Sequence, residues 1–297
     1  MAVLGADQQA ALLAWGERHR RDLPWRRTRD PWEILVSEVM LQQTQIARVI
    51  PRYQAFLEEF PTVSDCAAAP VAEVIRAWDG LGYNRRAVQL HRCAQQLVAL
   101  HGGSLPHDLP ALLRLPGVGP YTARAVLAFA YEDDVGVVDT NVGRVLARWS
   151  GRSLGAAEAQ AAADAIVLTG SGWSWNQALF DFAAGVCTRR SPRCDQCPMR
   201  PSCRWQGQGD DPAEGSARVS GGQSRFEGSD RQGRGRLVAA LRRGPLLSSE
   251  VATAAGWPDD PARAIRVLAG LESDGIAVVD DAGTATLPDA GLLEGRQ

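Results

Sequence analysis

The first 205 residues predict an all-α fold, and a small α+β unit is expected after them. Three observations carry this. Up to about residue 205 apolar side chains recur every three or four positions, the spacing that gives a helix one buried face. The breaks between these stretches are short and built from Gly, Pro and Asp, and VGVVD at 135–139 is the one brief strand candidate. β-like alternation appears only near the C-terminus, beyond a stretch rich in Gly, Ser and charge.

In chain order the periodicity predicts helices over 7–20, 31–47, 49–59, 70–78, 84–101, 108–114, 120–131, 140–149, 156–168 and 174–186. Asp30-Pro31 marks the second start, a capping side chain followed by Pro at the first helical position. Residues 206–235 read as a linker because Gly, Ser and charge replace apolar periodicity. Residues 236–288 then run helix, helix, helix and a β-like stretch with a Gly turn, the order of a winged helix, and 289–297 form a tail. No internal repeat is present.

Composition narrows the function without naming it. No apolar run approaches the roughly 18 residues of a membrane span, and Asp7 and Glu17 interrupt the N-terminal apolar stretch, so a cytoplasmic monomer away from membranes is expected. A net charge of −2 gives no overall attraction to nucleic acid, leaving any such affinity to local patches. All 32 basic residues are arginine, which excludes chemistry through a lysine imine.

Four of the six cysteines fall between 187 and 203 in the pattern C-x6-C-x2-C-x5-C. Thiolates spaced this tightly repel one another unless a metal neutralises them. Zinc ribbons bring two CxxC pairs across a long loop, whereas a single compact loop suits a 4Fe-4S cluster better, with zinc left open. Arg189, Arg190 and Arg193 lie inside the loop and suit a phosphate backbone, or else offset the charge of the cluster. Cys66 and Cys93 stand apart as ordinary buried thiols.

Leu115-Pro116-Gly117-Val118-Gly119-Pro120 joins two predicted helices, and its glycines allow a tight turn whose N–H groups face outward as a phosphate nest. Two carboxylates draw notice. Glu38 sits among Ile34, Leu35, Val39 and Leu41, a setting that favours a protonated acid, or else a buried pair with an arginine such as Arg26. Asp139 opens VDTNVGRVLARW and reads as a helix cap; glycosidic cleavage also wants an acid and a second carboxylate facing the sugar.

Hairpin and cysteines together look like the helix-hairpin-helix glycosylase superfamily. With LPWR at 23–26, SEVMLQQTQ at 37–45, GLGY at 80–83, LPGVGPYTA at 115–123 and VDTNVGRVLAR at 138–148, the chain resembles the MutY-type adenine glycosylases from Leu23 to Cys203. The resemblance implies a helical barrel over about 25–138 and a cluster module made of 139–205 with the N-terminal helix. It implies one 4Fe-4S cluster on Cys187, Cys194, Cys197 and Cys203, and a substrate of double-stranded DNA carrying adenine opposite 8-oxoguanine or guanine. Glu38 would protonate the flipped adenine and Asp139 would stabilise the sugar cation, with Tyr121 and Asn141 in support. Trp25, Arg26 and Gln177 would line the adenine pocket, and Gln43 and Tyr83 would enter the base stack. Gly117, Gly119, Arg189 and Arg190 would grip the backbone. Tyr121 stands where the lyases of the superfamily carry lysine, which implies a monofunctional enzyme.

Two departures stand out. VDTN replaces the LDGN of many members, and the usual C-terminal domain that reads 8-oxoguanine is not recognisable after residue 206. A thymine-mismatch glycosylase shares the hairpin Tyr and the cysteines, but Gln42-Gln43 favours the adenine enzyme. A non-catalytic lesion binder and a zinc-stabilised regulator are compatible with parts of the same pattern. The cysteine reading is tested by colour: purified protein is expected to be brown with broad visible absorption, and a colourless preparation with intact thiols overturns it.

Overall fold

The computed structural model describes residues 4–217 and 225–288. Its helices, in chain order, are α1 (Ala6–His19), α2 (Pro31–Leu41), α3 (Ile46–Glu59), α4 (Val63–Ala68), α5 (Val71–Ala77), α6 (Arg85–His101), α7 (Leu109–Leu113), α8 (Pro120–Ala130), α9 (Thr140–Ser150), α10 (Ala156–Asp164), α11 (Gly172–Gly185), α12 (Asp230–Leu241), α13 (Val251–Ala255) and α14 (Pro261–Ser273). The strands β1 (Val278–Val279) and β2 (Ala285–Thr286) follow. Among the described residues the fold is all-α up to the C-terminal hairpin.

The chain divides into two compact units; the last crossing between them falls within the expected 206–235 linker, and further crossings divide the block before it. Residues 4–35, 107–113 and 118–217 form the first; 36–106, 114–117 and 225–288 form the second. The 1–205 block therefore contributes to both.

In the first unit α1 lies against α11, and α9 and α10 complete the layer. Leu12, Val142, Val145, Leu146, Trp175, Leu179 and Phe182 are its buried centre, with Cys187 and Met199 joining from the cysteine loop. VGVVD does not pair as a strand. Its Gly136 N–H donates to Asp164 (2.9 Å) and its Val137 N–H to Asn176 (2.9 Å), so side chains of α10 and α11 take the place of a neighbouring strand. Duty at Asp164 also explains why α10 ends there and not at 168.

In the second unit α3 to α6 bury Val49, Phe56, Ile75, Trp78, Leu90 and Leu97. Helix α4 was not expected. It starts with a reciprocal cap, the Asp65 N–H donating to the Thr62 hydroxyl (3.2 Å) and the Thr62 N–H to the Asp65 carboxylate (3.0 Å). Helix α2 stops at Leu41, short of 47, because Gln43 turns into the left-handed region at φ 57° and the chain restarts at Ile46. The C-terminal helices enclose Leu237, Leu241, Val251, Ala264 and Leu271, and β1 pairs antiparallel with β2 in the register Val278↔Thr286. Arg242, at the end of α12, holds this group to α5 and α6 by donating to Ile75 O (2.8 Å), Asp79 (2.6 Å) and Asn84 (3.0 Å).

The expected linker shortens at both ends. Residues 206–217 are tied to the first unit by the Asp211–Arg148 ion pair (2.6 Å) and by Ala217 N–H on Leu154 O (2.9 Å). Ser229 caps α12, which begins at Asp230. Residues 218–224 and the 289–297 tail lie outside the described residues.

Gly16 marks the tightest helix contact of the first unit. A Cβ there would lie 2.4 Å from the Cβ of Ala178, so α1 and α11 approach as closely as they do only because position 16 has no side chain. Gly16→Ala is expected to force the helices apart and to cost about 1–3 kcal/mol, measured by chemical unfolding; an unchanged midpoint contradicts this packing.

Candidate active site and nucleic-acid interface

Asp139 sits at the start of α9 because a short polar side chain there satisfies backbone donors that a helix leaves open. Its carboxylate accepts from Asn141 N–H (2.9 Å) and Val142 N–H (2.7 Å), and its other oxygen from the Asn141 side chain (2.8 Å). Three donors thus fix the orientation of a half-buried carboxylate. The path continues inward. Arg144 donates to Asn141 Oδ1 (2.9 Å), to Ala183 O (2.8 Å) and to Cys187 O (2.9 Å). One arginine therefore links the Asp139–Asn141 pair to the first cysteine of the loop.

The four cysteines line a single cavity with Arg148, Pro192, Arg193, Arg200 and Trp205. Burial pushes the Cys187 thiol up, and pushes Cys197 to about 11, with the neighbouring thiols adding to both. Burial raises Cys194 as well, so a cationic guest favours the thiolate forms in this cavity. Four cysteines on one compact loop around one cavity suit a four-iron cluster, which takes one thiolate per iron. Arg148, fully buried, braces the loop by donating to Thr188 O (2.7 Å), Arg189 O (3.1 Å) and Cys187 Sγ (3.4 Å). Arg189, Arg190 and Arg193 remain on the surface. Cys66 and Cys93 are buried thiols pushed to about 12 by burial, as expected of packing residues.

In the second unit, Glu38 is 4% exposed on α2. The loop after α2 and the loop before α6 carry two left-handed residues, Gln43 (φ 57°) and Tyr83 (φ 46°), both exposed. Such backbone persists in non-glycine residues only when its surroundings enforce it. Arg86 supplies the enforcement. It donates to Val39 O (2.8 Å), Met40 O (2.9 Å) and Gln42 O (2.6 Å) on one side, and to Leu81 O (3.2 Å), Gly82 O (3.0 Å) and Tyr83 O (3.4 Å) on the other. Burial lowers its pKa to about 10, which leaves it charged at neutral pH.

Gly117 of the hairpin has φ 76°, and a Cβ there would meet Gln89 Cβ at 2.8 Å, so both conformation and space require glycine. Gly119 caps α8 with open space above it, and Pro120 and half-buried Tyr121 begin the helix. Trp25 and Gln177 are buried in the first unit. Arg26 takes a carboxylate other than Glu38. It forks onto Asp181 of α11 (2.7 and 3.0 Å) and donates to Arg21 O (3.0 Å), so the side chain is committed to holding the 24–26 turn on α11. Burial raises the Asp181 pKa, but Arg26 and Arg21 bring it below the ordinary carboxylate value.

Over 273 residues, covering 89% of this chain and 90% of the relative, the sequence is 44% identical to the Adenine DNA glycosylase of Mycolicibacterium smegmatis. The chain belongs to the MutY-type adenine DNA glycosylases. Residues 36–166 match the HhH-GPD superfamily of base excision DNA repair proteins, and 187–203 match the iron-sulfur binding domain of endonuclease III. As in that family, the four cysteines hold one 4Fe-4S cluster. A thermostable thymine-DNA glycosylase superposes with a TM-score of 0.63 at 32% identity, covering 67% of this chain and 94% of its own. Endonuclease III trapped covalently on DNA superposes at 0.59 with 26% identity, covering 69% and 98%. Those structures are nearly used up by two thirds of this adenine glycosylase family member, whereas the mycobacterial relative also spans most of its C-terminal part.

Within its units the structure joins Asp139 to Asn141, gathers the four cysteines, and ties the Gln43 and Tyr83 loops together. Glu38 and Asp139 belong to different units. Arg86, Arg144, Arg148 and Asp181 were missed in the sequence, where each is one arginine or aspartate among many; only the pairing of a buried Arg with distant carbonyls reveals them. Arg86→Lys loses the planar fork and leaves several buried carbonyls without donors, at a cost of about 2–4 kcal/mol. Urea unfolding checks this, and a loss under about 0.5 kcal/mol would show that Arg86 does not hold the loops.

Proposed function

We propose that the chain excises adenine opposite 8-oxoguanine or guanine in double-stranded DNA, by hydrolysis of the bond between base and deoxyribose. The observation that carries the reading is the Asp139 carboxylate, aimed by Asn141 and two backbone N–H groups, in a chain that also buries an acid at Glu38 and contains no lysine. Glu38 gives its proton to N7 of the extruded adenine, and the C1′–N9 bond breaks with its electron pair going to the purine. Asp139 faces the positive charge left on the sugar and lowers its cost. Glu38, now a carboxylate, takes a proton from water, whose oxygen bonds to C1′. The products are free adenine and an abasic site.

Tyr121 carries no amine, and no lysine stands elsewhere, so the sugar does not form an imine and the strand stays intact. Buried Trp25 and Gln177 close the adenine pocket, Gln43 and Tyr83 fill the stack, and the hairpin and the loop arginines bind phosphates. The cluster, when bound, supplies a folded support for the 187–203 loop and takes no part in the bond cleavage. The enzyme acts as a monomer in the cytoplasm, which light scattering and fractionation test.

Duplexes carrying A opposite 8-oxoguanine, A opposite G and T opposite G separate the readings by the base released. Adenine is expected from the first two, with strand scission only after alkali. Release of thymine, or scission without alkali, replaces the proposal. Glu38→Gln and Asp139→Asn are each expected to slow single-turnover excision by about a hundredfold or more while duplex affinity changes little. An unchanged rate in either removes that residue from the chemistry.

A further inference from the structure

We propose that the C-terminal helices supply a second DNA-contacting edge, formed by Phe226 and Arg231, which works as one surface with Tyr83. The inference rests on the reading of Tyr83 as a residue that enters the base stack. Arg231, in the first turn of α12, places its guanidinium Nη1 3.5 Å from the Tyr83 hydroxyl and its central carbon 5.4 Å over the Phe226 ring. Phe226 is 55% exposed and Tyr83 40%. Scattered apolar residues on a surface need no explanation. Two exposed aromatic side chains joined by one guanidinium combine π-faces with positive charge, the chemistry on which unstacked nucleobases pack.

The edge is held in place relative to Tyr83. Arg242 fastens α12 to Ile75, Asp79 and Asn84 next to the Tyr83 loop, and Arg234 pairs with Asp274, which also faces Arg85 at 3.6 Å. A side chain on such a support does not have to be ordered when DNA arrives, which preserves more of its binding energy. Charge favours a polyanion over an apolar partner. Residues 225–236 hold Arg225, Arg231, Arg234 and Arg236 against Glu227 and Asp230. Both acids already face arginines, Glu227 at 3.6 Å from Arg225 and Asp230 at 2.7 Å from Arg263.

The test uses the full chain with its cluster and a duplex carrying A opposite 8-oxoguanine. Phe226→Ala combined with Arg231→Gln is expected to weaken binding about tenfold or more, and Arg231→Gln alone to reduce the slope of log K against log salt by about one. Melting temperature and visible absorption should stay as in the unmodified protein, which separates lost contacts from lost folding. Tyr83→Ala is measured alongside. If Tyr83→Ala weakens binding tenfold while the double variant binds within twofold of the parent with the same salt slope, the edge does not contact DNA. If Tyr83→Ala is silent, the base-stack reading fails, and the double variant alone decides the edge: a tenfold loss sustains it and a change within twofold overturns it.

Discussion

A buried guanidinium must find acceptors for its N–H groups or lose several kcal/mol, and in this chain that requirement stitches the functional loops to the helices. Arg86 does it for the two left-handed loops, Arg148 for the cysteine loop, and Arg242 for the C-terminal helices. Arg144 joins the Asp139–Asn141 pair to Cys187. Each takes backbone carbonyls among its acceptors, Arg86 almost exclusively so, while Arg148 and Arg242 add the side chains of Asp211 and of Asp79 and Asn84. A lysine, with three donors around one point, could not span such sets. The complete use of arginine in this sequence is therefore structurally consequential, whatever its origin.

The same requirement explains what the sequence revealed and what it concealed. Helices with long apolar periods, such as α6 and α8, were legible because burial of one face is written locally. The Gly117 turn and the cysteine spacing were legible because only certain residue types meet their demands. The end of α2 was not, since nothing within LQQTQ says that carbonyls of Val39, Met40 and Gln42 will be captured by an arginine more than forty residues on. Helix α4 had a local signal, the reciprocal cap of Thr62 and Asp65, that apolar periodicity passes over in so short a segment. The 206–217 stretch misled through composition. It has no apolar period, yet Asp211 meets a fully buried arginine and Ser216 bonds Leu154.

Among the site residues, Arg26 has a structural duty that the resemblance does not reveal. Position 26 is arginine as expected, and the turn it occupies is buried, but its charge is spent on Asp181. Three of its N–H donors hold Asp181 and Arg21 O, which fixes the turn that carries Trp25. At Asp139 the cap that its position in the sequence suggests is present, and capping orients the carboxylate that the proposed chemistry uses.

The path Asp139–Asn141–Arg144–Cys187 joins the cysteine loop to the carboxylate of the proposed chemistry through hydrogen bonds alone. Arg144 has three acceptors, and the Cys187 carbonyl holds its position only while the loop is folded around its thiol ligand set. If that carbonyl moves, Arg144 loses a charge-assisted bond inside a buried site, where replacements are scarce and the loss is on the order of 1–3 kcal/mol. The Asn141 side chain then has a less rigid partner, and it supplies one of the three bonds that orient Asp139. In the proposed role of facing a short-lived sugar cation, such a carboxylate is sensitive to this loosening, since electrostatic stabilisation depends on dipoles and charges fixed before the charge develops. Order in the loop is thus converted into alignment at the helix start through a single buried side chain.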